Sequence, residues 1–474
     1  MSGLLSIEAD KKIAIYGAGT VANVFYYFLQ QNGYEDRICC FLVSDLRGSE
    51  ITKFGYPKFQ FDSVVDKLSD TKVYIATQES LQNEIKCKIH GYKDISYQIV
   101  NTRDLIDQFY NNLENDPINP YKILGQNQQV AGYGDNPKYI FEELHRRDTC
   151  GILDLVWSVA EHDSTIPDYV RQVEYGSYDY YKELTTAHIW LDNERKPQLI
   201  RKRKDQIYIQ TWHGAAPIKM VEADAEKSLE KFYIEGAKHD SEMADLFISG
   251  SEFYTELYRR SFWYDGEILK VGLPRQDVFW KQDEVRKRIY AKYNIGENKY
   301  TVLYAPTYRS KYTEGCYDLD IANVLSALKE RFNHSFVMLV SRHPVNYQEY
   351  NFGGQAFISI DKSQDFEELL AAVDVLITDY SGCMYDFSYT ERPVFLFQQD
   401  YDVYVEDRDF YIPIHELPYI CARSNWELVD KIRTFNYDNY KKDLRRFMNS
   451  MGNYDDGTAS KRTVDYILDN YLQV

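Results

Sequence analysis

Short apolar runs recur along the chain, each closed by a polar or glycine-containing turn and separated from the next by a stretch with helical spacing. Residues 12–16 form the first run, and Gly17-Ala18-Gly19-Thr20-Val21-Ala22 turns from it directly into an amphipathic helix that ends near Gly33. Further strands are expected at 37–43, which ends in Ser44-Asp45, at 72–76 and at 94–100. A strand, a glycine turn, a helix and another strand in this order open a parallel, doubly wound sheet. Residues 111–136, rich in Asn, Pro, Gly and Gln, are expected to be a linker. Beyond them a helix is predicted at 139–147, with strands at 151–158, 187–191, 206–211, 246–249, 267–271, 301–305, 335–340, 373–378 and 394–397. Uniformly apolar strands alternating with helices imply parallel sheets covered on both faces. The charged, helix-patterned stretch 280–298 divides the later set into two groups.

Length and composition narrow this picture. A chain of 474 residues exceeds what one core normally serves, and the pattern places domains at 1–115, 116–285 and 286–474. A formal net charge of −18 argues against nucleic acid as a partner, and any contact with an anionic surface must use a local basic patch. The densest such patch is Arg201-Lys202-Arg203-Lys204, which reads either as a guide for a polyanionic acceptor or membrane surface or as a solvated loop. The seven cysteines are scattered without a CxxC pair, which suits a reducing compartment and offers neither a disulfide framework nor a zinc site. The start of the chain lacks signal-peptide layout, and no stretch approaches the roughly 20 apolar residues of a membrane helix. A cytoplasmic protein, with room for peripheral contact with the inner membrane surface, is expected.

Five clusters sit at predicted strand ends, where open α/β sheets bind ligands. They are Gln210-Thr211-Trp212-His213-Gly214, residues 272–277 (Gly-Leu-Pro-Arg-Gln-Asp), residues 304–309 (Tyr-Ala-Pro-Thr-Tyr-Arg), Ser341-Arg342-His343-Pro344 and Thr378-Asp379-Tyr380-Ser381-Gly382. His213 follows an apolar strand and precedes a glycine, so its imidazole suits a general base, although Trp212-His213 reads equally well as a core pair. Arg342 and His343, ahead of a proline, suit phosphate oxygens or, alternatively, a surface ion pair. Ser381 and Gly382 precede a predicted helix whose first N–H groups would favour an anion. Asp379 cannot hold phosphate and is better suited to capping or orienting a neighbour. Arg275 and Arg309 are further candidate cations, since turn geometry explains the glycine and proline beside them but not the arginines.

In their order, these motifs resemble the CDP-glycerol glycerophosphotransferase family, the teichoic-acid polymerases and primases. The likeness extends to Asp386-Phe387, Arg392-Pro393 and the acidic, aromatic stretch 400–411, and it covers roughly residues 135–445. It implies an α/β chain with a GT-B fold of two Rossmann-like lobes, here preceded by a small Rossmann-like α/β domain, with the donor held mainly by the C-terminal lobe. It also implies a transferase that moves glycerol phosphate or ribitol phosphate from a CDP-activated donor to a hydroxyl of a lipid-linked or polymeric acceptor, releasing CMP. His213 and His343 would then be catalytic. Arg342, Ser381, Gly382, Arg309 and Arg275 would bind the donor phosphates, with Trp212, Gly214, Asp379 and Asp386 in support. No cofactor is called for; a divalent metal is compatible but not implied, since no acidic cluster with ligand spacing adjoins the motifs. A nucleotide-sugar glycosyltransferase on the same architecture and a non-catalytic member of a wall-polymer complex are the alternatives.

This sequence departs from the family pattern in three places. Residues 215–219 (Ala-Ala-Pro-Ile-Lys) replace a Thr-Pro-Leu-Lys segment, Gly382 replaces a second serine, and Arg408-Asp409 replaces an Arg-Gly pair. These leave the acceptor and the polyol open. The first domain matches the dinucleotide fingerprint in Gly17-x-Gly19-x-x-Ala22, with Asp45 placed to reach a ribose hydroxyl. It resembles the small Rossmann-like domains of sugar-modifying transferases and is expected to bind a nucleotide, regulate or dock rather than act as a dehydrogenase.

Overall fold

The computed structural model describes residues 7–8, 10–46, 51–92, 94–214, 218–307, 317–341, 356–406 and 409–472. It divides into two compact units.

The first unit comprises the chain up to Asn119 together with Val173–Ala187 and Leu199–Asp205. Its sheet has the strand order Thr52–Lys53, Tyr56–Gln60, Ile38–Val43, Lys12–Tyr16, Thr71–Ile75 and Ser96–Ile99. Every pairing is parallel except that of the first two, which form a small antiparallel ribbon. Helix Thr20–Gln31 buries Val21, Val24, Phe25 and Phe28. Residues 173–187 join this unit because helix Tyr178–Thr186 sets Tyr181 edge-on against Phe109, 5.3 Å between ring centres, on helix Thr102–Leu113. The basic run is partly tied into the same unit. Arg201 pairs with Asp107 and Glu114, and Arg203 donates to the carbonyls of Asp116 and Thr185. A linear reading that ends the domain at residue 115 cannot see this return of the chain.

The second unit carries two sheets. One has the order Glu267–Lys270, Leu246–Ser249, Ile207–Gln210, Ala187–Asp192, Asn119–Gly125, Asp154–Val159 and Arg171–Glu174. The other runs Ile358–Ser359, Phe336–Val340, Tyr300–Tyr304, Val375–Thr378, Val394–Phe397 and Ile420–Ala422, parallel throughout. Runs such as Val375-Leu376-Ile377-Thr378 are wholly buried, as strands covered by helices on both faces must be. The expected linker at 111–136 is a correction. It contains strand Asn119–Gly125, inside the first sheet, and the start of helix Asp135–Arg147. Its turn-rich composition masks Ile123 and Leu124, which are buried. Helix Gln282–Lys292 occupies the charged seam between the two sheets. The last helix, Ala459–Asn470, returns to the first of these sheets, where Val464 and Ile467 join the core of Ile123, Ile140 and Leu246. A division that runs straight from 286 to 474 misses that crossing.

Among the described residues, no helix is long and apolar enough to cross a membrane.

Candidate active site around His213

Strand Ile207–Gln210 stops because Trp212 adopts a left-handed conformation, φ 54°. Such a backbone is uncommon for a bulky side chain and persists only where the surroundings impose it. Here they do. The Trp212 N–H donates to Gln210 Oε1 at 2.8 Å, and its carbonyl accepts from the fully buried Asn136 at 3.1 Å. The indole stands edge-on to Phe262, 4.8 Å between centres, with the Arg195 guanidinium 5.7 Å from its ring.

The turn delivers His213 to a half-buried position with Nδ1 2.7 Å from the carbonyl oxygen of Asn193. A carbonyl can only accept, so Nδ1 carries the hydrogen and Nε2 of the neutral ring holds the lone pair. Burial pushes the imidazole pKa down to about 4. The Asn193 bond opposes this, while Arg275 and Arg195 add to it. The ring is therefore neutral, and its basic nitrogen unprotonated, throughout the physiological range.

Asn193 follows strand Ala187–Asp192, and buried polar bonds fix that strand end. Lys196 reaches Asp192 at 2.7 Å, Asp240 accepts from the Lys196 N–H at 2.8 Å and from the Tyr208 hydroxyl at 2.9 Å, and Gln210 donates to that hydroxyl at 2.8 Å. Arg195 adds bonds to Asp240 at 2.9 Å and Glu222 at 3.1 Å. Asn136, Asp192, Asn193 and Asp240 were not singled out from sequence. The available signals were the polar Asp-Asn-Glu that ends an apolar strand and the Asn-Pro pair at a helix start.

Arg275 requires a correction. The expected phosphate ligand is only 4% exposed. It donates to Asp135 at 2.9 Å, to the His213 carbonyl at 2.8 Å and to Asp386 at 3.2 Å, and its own N–H donates to Asn136. Its Nε lies 3.9 Å from Glu367, whose carboxyl is pushed well up by burial, with Asp365 and Asp135 nearby. A guanidinium spent in this way holds the turn and cannot also face a ligand. Gly272 lets the turn form: at φ +87°, a Cβ there would lie 2.5 Å from Asp455 Oδ1, the atom that accepts the Leu273 N–H.

In the second sheet, Asp379 is buried and accepts from the Thr307 N–H and hydroxyl and from the Tyr380 N–H. It thereby ties two strand ends together. Ser381 is half-buried and Gly382 exposed, and they lead into helix Cys383–Phe387 with the Ser381 hydroxyl 3.4 Å from the Cys383 N–H. Asp386 on this helix accepts from Arg275 and from Gln276. The Ser381-Gly382 segment and His213 are thus connected through one ion pair, because Arg275 bonds both Asp386 and the His213 carbonyl. Arg309, Arg342 and His343 lie outside the described residues.

In the first unit, Gly17 stands at φ +135°, and a Cβ there would lie 2.3 Å from the Ala76 carbonyl oxygen, so only glycine fits. Gly19 precedes helix Thr20–Gln31, and Asp45 is exposed two residues beyond strand Ile38–Val43.

Residues 109–469 match the model of the family described as CDP-Glycerol:Poly(glycerophosphate) glycerophosphotransferase. A teichoic acid poly(glycerol phosphate) polymerase of Staphylococcus epidermidis is 30% identical over 379 residues, 74% of this chain and 51% of that protein. The corresponding polymerase of Bacillus spizizenii is 26% identical over 372 residues, covering 74% of this chain and 93% of the relative. The chain therefore spans about half the length of the first relative and nearly all of the second. Among solved structures, the wall teichoic acid polymerase TagF superposes with a TM-score of 0.67 at 27% identity, covering 78% of this chain and 93% of that one. TagF has also been solved after a soak with CDPG. With the family model matched over most of its length, this chain belongs to the CDP-glycerol:poly(glycerophosphate) glycerophosphotransferase family.

Proposed function

We propose that the chain transfers a polyol phosphate, glycerol phosphate or ribitol phosphate, from a CDP-activated donor to a hydroxyl of a teichoic-acid or capsule-type polymer. In the proposed step His213 Nε2 accepts the proton of the acceptor hydroxyl as its oxygen attacks the polyol-bearing phosphorus. The bond from that phosphorus to the bridging oxygen breaks, and CMP leaves with the electron pair. One observation carries this reading: Nδ1 is committed to the Asn193 carbonyl, so Nε2 of the neutral ring is the nitrogen left to accept a proton. A positioned base of this kind contributes about 10²–10⁴ in rate.

Ser381 and Gly382 are proposed to contact the donor diphosphate, together with Arg309, Arg342 and His343, whose charges would offset those of the departing CMP. Asp379 and Asp386 serve as positioning residues through their bonds to Thr307 and Arg275. The reaction as proposed needs protein groups alone and takes place where CDP-polyols are made, in the cytoplasm. The acceptor is proposed to be lipid-linked, which would bring the protein to the inner membrane surface.

The test is CMP release by the purified chain from CDP-glycerol and CDP-ribitol with a polyol-phosphate acceptor, beside UDP-sugars. CMP release that His213→Ala abolishes supports the proposal. UDP release instead would assign a glycosyltransferase, and no release with any donor would assign a non-catalytic role.

A further inference from the structure

Next to Gly214, the residue that follows His213, lies a small cavity, and both lobes of the second unit build its walls. Gly214, Tyr254, Leu273 and Gln276 come from the lobe that carries His213, and Tyr385 and Asn453 come from the other. It offers about 10 Å³ to the centre of a water-sized group, room for roughly one such group. Close backbone packing keeps it open. A Cβ on Gly214 would lie 3.1 Å from both Trp212 Nε1 and the Tyr254 hydroxyl, and one on Gly250 would lie 2.7 Å from Leu273 Cγ.

One lining group lacks its complement. Gln276 is 1% exposed. Its amide nitrogen donates to Asp386 at 2.8 Å, which fixes the orientation of the amide because a carboxylate can only accept. Among the described residues the amide oxygen, which is buried, has no hydrogen-bond partner. Buried polar atoms are almost always paired, so an orphaned acceptor on a polar cavity calls for a donor from outside the protein. A hydroxyl group supplies one.

We infer that this cavity seats the terminal hydroxymethyl group of the donor's polyol, with Gln276 Oε1 accepting from its hydroxyl, and that it selects a three-carbon polyol over a five-carbon one. The inference rests on the transferase reading above. In that reading the transferred polyol lies between an acceptor at His213 and a diphosphate held by the second lobe, and the cavity has walls from both. Its size admits one hydroxymethyl tip and leaves no room for two further hydroxylated carbons.

The experiment compares CMP release by the whole chain from CDP-glycerol, from CDP-ribitol and from a donor in which propane-1,2-diol replaces glycerol and so lacks the terminal hydroxyl. In the unaltered protein the deoxy donor is expected to lose about 10- to 100-fold in kcat/KM, the usual worth of a hydroxyl that pairs an otherwise stranded buried acceptor. Gln276→Met, which keeps the volume and removes the acceptor, is expected to erase the difference between CDP-glycerol and the deoxy donor. Leu273→Ala, which enlarges the cavity, is expected to raise CDP-ribitol relative to CDP-glycerol by at least about tenfold. Equal rates for CDP-glycerol and its deoxy analogue in the unaltered protein would overturn the inference and leave the cavity to a bound water, whatever the folding of the variants. A deoxy penalty that persists unchanged in Gln276→Met would overturn it too. If no CDP-polyol releases CMP, the transferase reading fails and the inference falls with it.

Discussion

Two strand-end turns in the second unit look alike in sequence, and the structure uses them in opposite ways. Trp212-His213-Gly214 and the Gly-Leu-Pro-Arg-Gln-Asp turn at 272–277 each follow a strand of the same sheet, bend at a special residue and carry one basic side chain. In the first, the imidazole spends a single nitrogen on a backbone carbonyl and keeps the other. In the second, the guanidinium is buried and divided among Asp135, Asp386 and the carbonyl of His213. The arginine works by holding the histidine and by joining the two lobes through Asp386. A second buried pair across the lobes, Lys138 with Asp365 at 2.6 Å, supports the same junction. Charge in a motif therefore does not by itself mean charge offered to a ligand; what the surrounding carboxylates leave unspent decides.

Separating these two roles is the most direct way to break the comparison. His213→Ala should lower CMP release about 10²- to 10⁴-fold with little change in the unfolding midpoint; a variant with unaltered turnover would remove His213 from the chemistry. Arg275→Met should act first on stability, with turnover falling only through the loosened His213 turn. It strands Asp135 and Asp386 in the interior, and breaking a buried pair from one side typically costs about 3–5 kcal/mol, which denaturant unfolding would register. Normal stability together with a raised KM for the donor would return Arg275 to the phosphate.

Asp455, which accepts the Leu273 N–H and the Tyr389 hydroxyl, sharpens the contrast through pH. Burial pushes its carboxyl up to about 7. The folded chain therefore keeps a proton that the unfolded chain releases from about pH 4 upward. This group's contribution is complete below that point, declines as pH rises towards about 7 and is level above it. Asp455→Asn should remove that decline, a gain of up to a few kcal/mol at pH 8 relative to the change at pH 4.

His213 has the opposite sign. Its folded pKa near 4 lies below the ordinary value, so the unfolded chain takes up the proton first, and stability is lost as pH falls from about 6.5 to about 4. In the free enzyme the acid limb of kcat/KM should have its midpoint near 4 rather than 6.5, as a pH–rate profile would show. The smallest expected effect is that of a chelator. EDTA should leave CMP release unchanged, and a loss restored by Mg²⁺ would add an ion to the donor site.

Much of the scaffold was legible because it obeys a single rule. Lys12–Tyr16, Leu246–Ser249 and Val394–Phe397 are short apolar runs buried in parallel sheets, and their expected bounds match those observed. Strands Tyr56–Gln60 and Asn119–Gly125 escaped because exposed and turn-prone residues dilute their pattern. At the site, the Trp-His-Gly turn stood out by residue type, whereas Asn136 and Asn193 did not: Asn193 meets the imidazole through its backbone carbonyl, which every residue carries, and the Asn136 side chain finds the Trp212 carbonyl only across 76 residues of chain.

The sequence by itself determined the α/β alternation, the order of the strand-end motifs and the family they mark, because these depend on local spacing and residue chemistry. Only the tertiary structure decided which cation is spent and which base is kept. Arg275 meets Asp135 across 140 residues of chain and Asp386 across 111, and the burial that neutralises His213 is a property of the packed interior that surrounds it.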